Sequence, residues 1–530
     1  VVEFVELAAK NGLDIFRIFH CFNDVEQMRG CIDAVRKVGK VAECCVCYTS
    51  DVLKSKIYDV DYYKALAKEL KDAGAHIICI KDMAGLCKPA AAKPLLRAIR
   101  DGVGEELPIH FHTHCTSSAS LAVAMEMTRY GCDIVDFAVA AMADLTSQPS
   151  LNAFCAAMDG VPRSPQIDYM ALEPLDIYWM KVREMYAPFE TGMLAGSARV
   201  YDHEIPGGQY ANLFVQSKSM GLGDRWAEVL DTYRDVNHLF GDIVKVTPSS
   251  KCVGDLALFL INKNLTAEDV TAEDQRLDYP DSVVGLMEGR LGFPHRGFPE
   301  DVAKAILKGK PQLTERPSLS LQPADFAETK KALAEKHSLS EVSDELCNAS
   351  LLYPKVIDEY LSFCDTKTAI AAHVPTPVFW YSFAVGQSAT ITNVPADLAL
   401  SELGKPQAEV TLTLKRVGPL KAGRMRTVVF DVDGAEQHVE VKQPAAEGEF
   451  DGPVADPSNP NHVASPMPGV VEKVKVTVGD AVDPASELFV VSAMKMEVKV
   501  KAPVSGGVTQ LLVQEGDKVI EGALMAVITP

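Results

Sequence analysis

Over the first 160 residues, apolar positions gather in short runs at near-regular intervals: Asp14 to Phe19, Val41 to Tyr48, His76 to Lys81, Pro108 to His114 and Cys132 to Val139. Amphipathic stretches lie between them, among them Tyr62 to Ala73 and Ser118 to Tyr130, each closing near a glycine. A short apolar run followed by an amphipathic stretch and a breaker reads as strand then helix. Five such units at intervals of about 30 residues predict a parallel sheet. A doubly wound sheet and a (β/α)8 TIM barrel share this pattern. The polar residues tilt the choice, because Lys81, His112 and His114 all fall at strand C-terminal ends, where barrels carry their chemistry. The expected fold class is therefore α/β, a partial TIM barrel over residues 1–160, with three strands to be sought before Val1.

The pattern then changes. Residues 161–374 read as mostly helical, broken by loops at Glu204-Ile205-Pro206-Gly207-Gly208-Gln209 and Val246-Thr247-Pro248-Ser249-Ser250-Lys251, and are expected to cap the barrel mouth. After Pro375-Thr376-Pro377 come four β-like runs, Val378 to Phe383, Ala408 to Lys415, Arg426 to Val432 and Gln437 to Val441, which predict a small β domain over 375–442. Residues 443–461, rich in Pro, Ala, Gly and Asp, read as a flexible linker. The last segment, 462–530, holds an internal repeat. Ser465-Pro466-Met467-Pro468-Gly469 and Gly479-Asp480 recur 37 residues on as Ala502-Pro503-Val504-Ser505-Gly506 and Gly516-Asp517. Each half reads as short β-branched strands with Gly-Asp turns, a two-fold β-sandwich. Ala493-Met494-Lys495-Met496-Glu497 sits on the hairpin that joins the halves.

Composition narrows the classes. A formal charge of -20 and a pI near 5.1 argue against nucleic-acid or anionic-membrane surfaces, which need clustered Lys and Arg. Small molecules and proteins are the expected partners. Thirteen cysteines, an odd number without paired C-x-x-C spacing, predict reduced thiols in an intracellular compartment. No apolar run reaches the roughly 18 residues that span a bilayer. Val1 reads as a cut.

Three groups carry candidate chemistry. His110-Phe111-His112-Thr113-His114 alternates histidine along a strand, so all three imidazoles project from one face, and two neighbours make a divalent-metal half-site. His110, one layer deeper, is expected to be structural. Lys81 ends the neighbouring strand; a protonated lysine is ordinarily an ion-pair partner, since its amine repels metal. Lys495 would ordinarily be a surface lysine in a β-turn. Two exposed methionines beside it, at the centre of a repeat, point instead to covalent attachment of a cofactor.

The Ala-Met-Lys-Met segment and its flanking repeat resemble the biotin carboxyl carrier domain over about the last 70 residues, which implies biotin on Lys495. The lipoyl domain shares the sandwich but usually lacks Ala-Met-Lys-Met. Upstream, Phe16-Arg17-Ile18-Phe19, Ile80-Lys81-Asp82-Met83-Ala84-Gly85, His112-Thr113-His114, Thr146-Ser147-Gln148-Pro149-Ser150, Pro206-Gly207-Gly208-Gln209-Tyr210 and Val246 to Lys251 resemble, in order, the carboxyltransferase domain of the pyruvate carboxylase family. With Gly285 to Gly297 and Leu352-Tyr353-Pro354 the resemblance covers essentially the whole chain. It implies a divalent ion (Mn, Zn or similar) held by Lys81 as carbamyl-lysine with His112 and His114. It implies that Thr247 shuttles a proton between pyruvate and biotin, and that Gln209, Ser250 and Lys251 line the biotin pocket. The reaction implied is carboxyl transfer from carboxybiotin to pyruvate, giving oxaloacetate. The implied partners are a biotin protein ligase, the ATP-using biotin carboxylase domain of the same full-length chain, and further copies in a homotetramer organised through the β segment near 380–442. The implied location is the mitochondrial matrix or cytoplasm. An oxaloacetate decarboxylase or transcarboxylase subunit, or a non-catalytic carrier and assembly module, are the rival readings. Two departures stand out: His20 and Cys115 occupy positions where the family has aspartate, at strand ends expected to face the site. The family's aspartate metal ligand and carboxylate-gripping arginine belong to strands before Val1.

Overall fold

The computed structural model describes the chain except residues 273–276, 366–373, 393–408, 420–424, 443–451, 494–495 and 530. Five parallel strands pair in sequence order: β1 (Ile15–Ile18), β2 (Val41–Cys47), β3 (Ile77–Asp82), β4 (Ile109–Thr113) and β5 (Ile134–Val135). Four fall inside a predicted apolar run, and β3 runs one residue past its own, to Asp82. An order without reversal winds one way, as a barrel does, whereas a doubly wound sheet reverses at a switch point. Right-handed crossovers then put the connecting helices on one face of the sheet. Those helices are α2 (Val25–Lys37), α3 (Val60–Asp72), α4 (Pro89–Val103) and α5 (Ser120–Arg129), preceded by α1 (Val2–Lys10). In α3, Tyr63, Leu66, Ala67 and Leu70 form the buried stripe, and Asp59 caps the start by accepting the Tyr62 N–H. Among the described residues, β1 and β5 have no partner on their outer sides, and Ile15 and Ile134 at those edges are exposed.

Helices dominate the next stretch: α6 (Leu151–Met158), α7 (Glu173–Met185), α8 (Val200–His203), α9 (Gly207–Ser219), α10 (Trp226–Leu239), α11 (Ser249–Asn262), α12 (Asp281–Glu288), α13 (Glu300–Leu307) and α14 (Pro317–Ser320). Of these α11 is the most enclosed, with eleven buried positions from Ser249 to Ile261.

The chain divides into two compact units, one of Val1–Leu321 with Gly452–Pro530 and one of Gln322–Asp451. This differs from the boundary expected between 374 and 375. The helices α15 (Phe326–His337), α16 (Asp344–Leu352) and α17 (Pro354–Asp365) bury Leu333, Val342, Cys347 and Leu361 against one another. They belong to the unit that holds the antiparallel sheet β6 (Ser388–Thr392), β7 (Glu409–Val417), β8 (Met425–Val432) and β9 (Ala435–Lys442). The strand expected over Val378 to Phe383 is instead helix α18 (Thr376–Tyr381), with Pro377 in its first turn. A proline that lacks an N–H and has φ preset near the helical value favours helix there over a strand ladder.

The terminal segment forms two four-stranded sheets. One contains β10 (His462–Ala464), β17 (Leu524–Thr529), β15 (Gly506–Leu511) and β12 (Ala481–Val482); the other contains β14 (Met496–Lys501), β13 (Glu487–Ala493), β11 (Gly469–Val474) and β16 (Lys518–Val519). The 37-residue repeat is the symmetry of this sandwich, since β11 maps onto β15, β12 onto β16 and β13 onto β17. Gly479 and Gly516, at φ 104° and 92°, turn the chain at equivalent corners where a side chain would be strained. The expected linker is ordered in its second half: Val454 bridges Ala523, and the Ala455 N–H reaches the Gly522 carbonyl. The linker residues before Gly452 lie outside the described residues.

Candidate functional site

The site is built from the C-terminal end of β4. Its pleat sends Phe111 into the core and turns His110, His112 and His114 to the opposite face. His112 Nδ1 lies 2.8 Å from Asp136 Oδ2, and His114 Nδ1 lies 2.6 Å from the Thr146 carbonyl. A carboxylate and a carbonyl only accept, so each Nδ1 carries the proton and each Nε2 keeps a free lone pair. Those two Nε2 atoms face each other at 3.4 Å, a separation that two metal–nitrogen bonds of about 2.1 Å can span. Burial lowers the proton affinity of both rings, His114 to about 4. A neutral pair of rings, each oriented by an acceptor behind it, is the donor set that a divalent cation needs.

A charged layer supports this pair from below. His110 contacts Asp136 and Glu43 at 2.8 and 3.1 Å. Arg17 binds Glu43 at 2.5 Å and Asp136 at 2.8 Å. Desolvation opposes a charge on His110, but hydrogen bonds to Asp136 and Glu43 raise its pKa to about 9. Burial would raise the Asp136 carboxyl, yet bonds from His110, His112 and Arg17 hold it far below the usual range. Glu43, Cys79 and His110 also bring ligand atoms within 4.8 Å of one another. Glu43 is already engaged by Arg17 and His110, and Asp136 links this layer to His112.

Lys81 on β3 stands opposite His112 in the ladder, its amine 4.9 Å from the Phe19 ring, and its charge lowers the proton affinity of both site histidines. The next residue, Asp82, is fully buried and accepts from the Leu86 and Cys87 amides and from Thr113. It thereby fixes the Met83-Ala84-Gly85 turn.

That turn receives the Pro-Gly-Gly-Gln loop. The Gly207 N–H donates to the Met83 carbonyl at 2.8 Å, and a Cβ on Gly207 would lie 2.5 Å from His114 Nδ1 and 3.0 Å from the Thr146 carbonyl. Only glycine fits there. Gln209, two residues further, crosses Gly254 of α11, with its Nε2 3.0 Å from where a Cβ would stand. The segment leading into α9, which carries Gln209, and the loop carrying Thr247 are tied together by an ion pair from buried Lys245 to partly exposed Glu204 at 3.0 Å. Ser250 is buried and its hydroxyl has no partner among the described residues, while Lys251 pairs with Asp255 at 2.5 Å. Thr247 is exposed and caps nothing: α11 starts without a side-chain cap, and Ser249 Oγ accepts the Val246 N–H.

Lys495 and Met494 lie outside the described residues; the positions flanking them, Ala493 and Met496, stand opposite each other in the β13–β14 ladder. His20 and Cys115, expected to face the site, serve their own loops. His20 Nδ1 accepts the Phe22 and Asp24 amides at 3.2 and 3.3 Å, as an aspartate side chain does in a turn. Cys115 is buried, its thiol pushed up to about 11, with its N–H on the Ser147 carbonyl. Residue patterns alone missed Arg17, Glu43, Asp136 and the Lys245–Glu204 pair. A glutamate inside the apolar run Val41 to Cys47 was the available signal for one of them.

Comparisons with known proteins cover all three regions. Residues 21–176 match the HMGL-like family, residues 200–398 the conserved carboxylase domain, and residues 461–528 the biotin-requiring enzymes. Pyruvate carboxylase of Bacillus subtilis is 43% identical over 99% of this chain, and the mitochondrial pyruvate carboxylase of Mus musculus is 37% identical over 98%. The chain spans 45% and 44% of those relatives, less than half their length. Among solved structures, the carboxyl transferase domain of Rhizobium etli pyruvate carboxylase superposes with a TM-score of 0.75 at 41% identity, covering 84% of this chain and 73% of that one. The complete multifunctional enzyme from the same organism gives 0.74 at 39% identity, over 99% of this chain and 47% of that one.

Proposed function

The chain belongs to the pyruvate carboxylase family, and from that premise we propose that it supplies the carboxyl-transfer and carrier parts of an enzyme converting pyruvate to oxaloacetate. The observation that carries this reading is the facing pair of unprotonated Nε2 atoms on His112 and His114, closed in by Gly207. In this reading His112 and His114, with Lys81 as carbamyl-lysine, hold the divalent ion. Lys495 is the biotin attachment point. When bound, biotin brings the carboxyl group and the ion acidifies the pyruvate methyl by polarising its carbonyl. Burial and the neighbouring Lys81 charge keep the two histidines neutral, while Asp136 and the Thr146 carbonyl aim them. Gln209, Ser250 and Lys251 line the biotin pocket, and the partnerless Ser250 hydroxyl is one hydrogen-bonding group left for a ligand. Thr247 takes a proton from the pyruvate methyl and hands one to biotin as CO2 leaves, a relay its exposed hydroxyl is free to perform. The partners in this reading are a biotin protein ligase, the ATP-dependent biotin carboxylase domain of the longer protein and three further copies in a homotetramer. The location is the mitochondrial matrix or the cytoplasm.

The test uses the protein extended through its N-terminal half. Thr247→Ala should abolish oxaloacetate formation while biotin-dependent ATP cleavage and metal content persist, and Thr247→Ser should retain part of the turnover. Activity lost by Thr247→Ala only in proportion to folded protein would overturn the relay.

A further inference from the structure

Three segments around the site meet at one buried amine. Lys245 is buried, and its ammonium group donates to Glu204 Oε2 at 3.0 Å, to the Ile243 carbonyl at 3.2 Å and to Thr49 Oγ1 at 3.4 Å. An ammonium has three protons to donate and nothing to accept, so these acceptors complete it. They come from the turn after α8, from the loop of Lys245 itself and from the segment after β2. Ser50 closes the circle, its hydroxyl donating to Glu204 Oε2 at 3.5 Å. A buried charge is costly without partners, so displacing any one of the three segments opposes the other two.

The backbone around the pair is held in conformations of high energy. Glu204 and Ser50 adopt φ of 54° and 59°, the left-handed region that side chains other than glycine's seldom enter. Strain of this kind persists where surrounding contacts over-determine it, and at Glu204 the holding contact is Lys245. The segment after β2 is itself fixed. The Tyr48 N–H donates to the Lys81 carbonyl at 2.9 Å, and the Tyr63 hydroxyl of α3 accepts the Thr49 N–H and donates to the Thr49 carbonyl. The other two segments lead directly to site residues. Ile205 and Pro206 alone separate Glu204 from Gly207, which lies against His114, and Val246 alone separates Lys245 from Thr247. Ile205 is fully buried with its N–H on His203 Nδ1, and the proline ring fixes φ at the next residue. Such short, stiff links carry a shift at the ion pair to Gly207 and Thr247 with little loss.

We propose that Glu204 and Lys245 are a positioning pair, which registers Thr247 and the Gly207 turn against the strand end that carries Lys81 and the site histidines. The inference rests on the reading of Thr247 given above and adds what holds that hydroxyl in place. Thr247 is exposed on its loop, so its placement depends on the anchor behind it. A displacement of about 1 Å in a reacting group costs about 100-fold in rate, which is the scale on which a lost anchor acts.

The test uses the protein extended through its N-terminal half and compares turnover per folded molecule. Glu204→Gln leaves the buried Lys245 charge uncompensated and lowers the melting temperature, which mixes placement with folding. E204Q/K245M removes both charges at similar volume and should recover the parent's melting temperature. Lys245→Met, which strands only the partly exposed Glu204, gives a second folded background. In both, kcat for oxaloacetate formation should fall about 10- to 100-fold, with KM for pyruvate, divalent-metal content and biotin-dependent ATP cleavage close to the parent's. Amide exchange over residues 244–250 should quicken in E204Q/K245M while that over α4 stays the same. Thr247→Ser, which slows the parent, should slow E204Q/K245M far less, because changes that act through one group are not additive. Parental kcat in folded E204Q/K245M and Lys245→Met, unchanged exchange over residues 244–250, or an undiminished cost of Thr247→Ser would each overturn the positioning role. The reading of Thr247 is judged separately, in the parent background. Turnover lost there by Thr247→Ala only in proportion to folded protein would sink that reading, and a kcat loss in E204Q/K245M would then assign the pair's effect to the Gly207 turn.

Discussion

The histidine-bearing strand end and the terminal sandwich hold their candidate residues by opposite means. Around His112 and His114, residues from five separate strands and loops converge: Arg17, Glu43, Lys81, Asp136 and Thr146, with Gly207 pressed against them. In the sandwich one 37-residue unit is used twice, and Lys495, the proposed attachment point, falls between the copies in sequence. The first arrangement controls proton affinity through burial and charge. The second is a hairpin whose ladder, Ala493 opposite Met496, forms from neighbours in sequence. A site that must tune chemistry needs distant groups; a site that must travel needs only a self-contained support.

The largest expected effect separates the two outright. Lys495→Ala should remove all ligase-dependent mass addition while the barrel unit keeps its melting temperature; any added mass surviving in that variant would break the contrast. Next, Lys245→Ala strands the Glu204 carboxylate beneath the loops that carry Gln209 and Thr247. Glu204 is partly exposed and keeps the Ser50 hydroxyl, so the cost is about 1–3 kcal/mol, less than for a fully buried pair, and denaturant unfolding should show a loss of that order in the barrel and none in the sandwich.

Acidity distinguishes the regions further. His114 binds its proton less tightly folded than unfolded, so its contribution is present above about 6.5 and fades as pH falls through about 4. His110 binds more tightly folded, so its contribution is present below about 6.5 and fades as pH rises through about 9. Each is worth up to about 3 kcal/mol. The barrel should therefore be most stable near neutrality and lose stability in both directions, whereas the sandwich melt should stay nearly flat from pH 5 to 9. A barrel melt equally flat over that range would contradict the assigned proton affinities. The smallest change expected is in ligand affinity: Asp136→Asn keeps the shape behind His112 but removes the charge. In the full-length protein it should weaken divalent-metal binding about 10- to 100-fold, measured by competition with a chelating dye, without altering biotin attachment.

Local pattern carried much of the architecture. All five barrel strands coincide with apolar runs, β3 overrunning its own by Asp82 alone, and the sandwich strands follow the repeat. The error at Val378 to Phe383 arose where a short aromatic run suits either helix or strand and Pro377 tipped it to helix. The grouping of α15 to α17 with the antiparallel sheet was not legible, because their mutual burial of Leu333, Cys347 and Leu361 involves residues with no distinguishing spacing. His20 looked like a damaged site residue. Its real task, gathering two amides in its own turn, depends on a ring orientation that no residue pattern encodes.

By itself the sequence determined the periodicities, and through them the strands, most helices, the two-fold sandwich and the placing of His112, His114 and Lys81 at strand ends. These follow from local rules: side-chain alternation, helical stripes, and turns that need glycine or proline. Only the tertiary structure decided which protons the histidines keep, which carboxylates stand behind them, and which loop closes over His114. Those properties come from burial and from charges brought together across more than a hundred residues, as between Arg17 and Asp136. A charge's effect on its neighbour depends on their distance and on the water excluded between them, and a linear chain specifies neither until it folds.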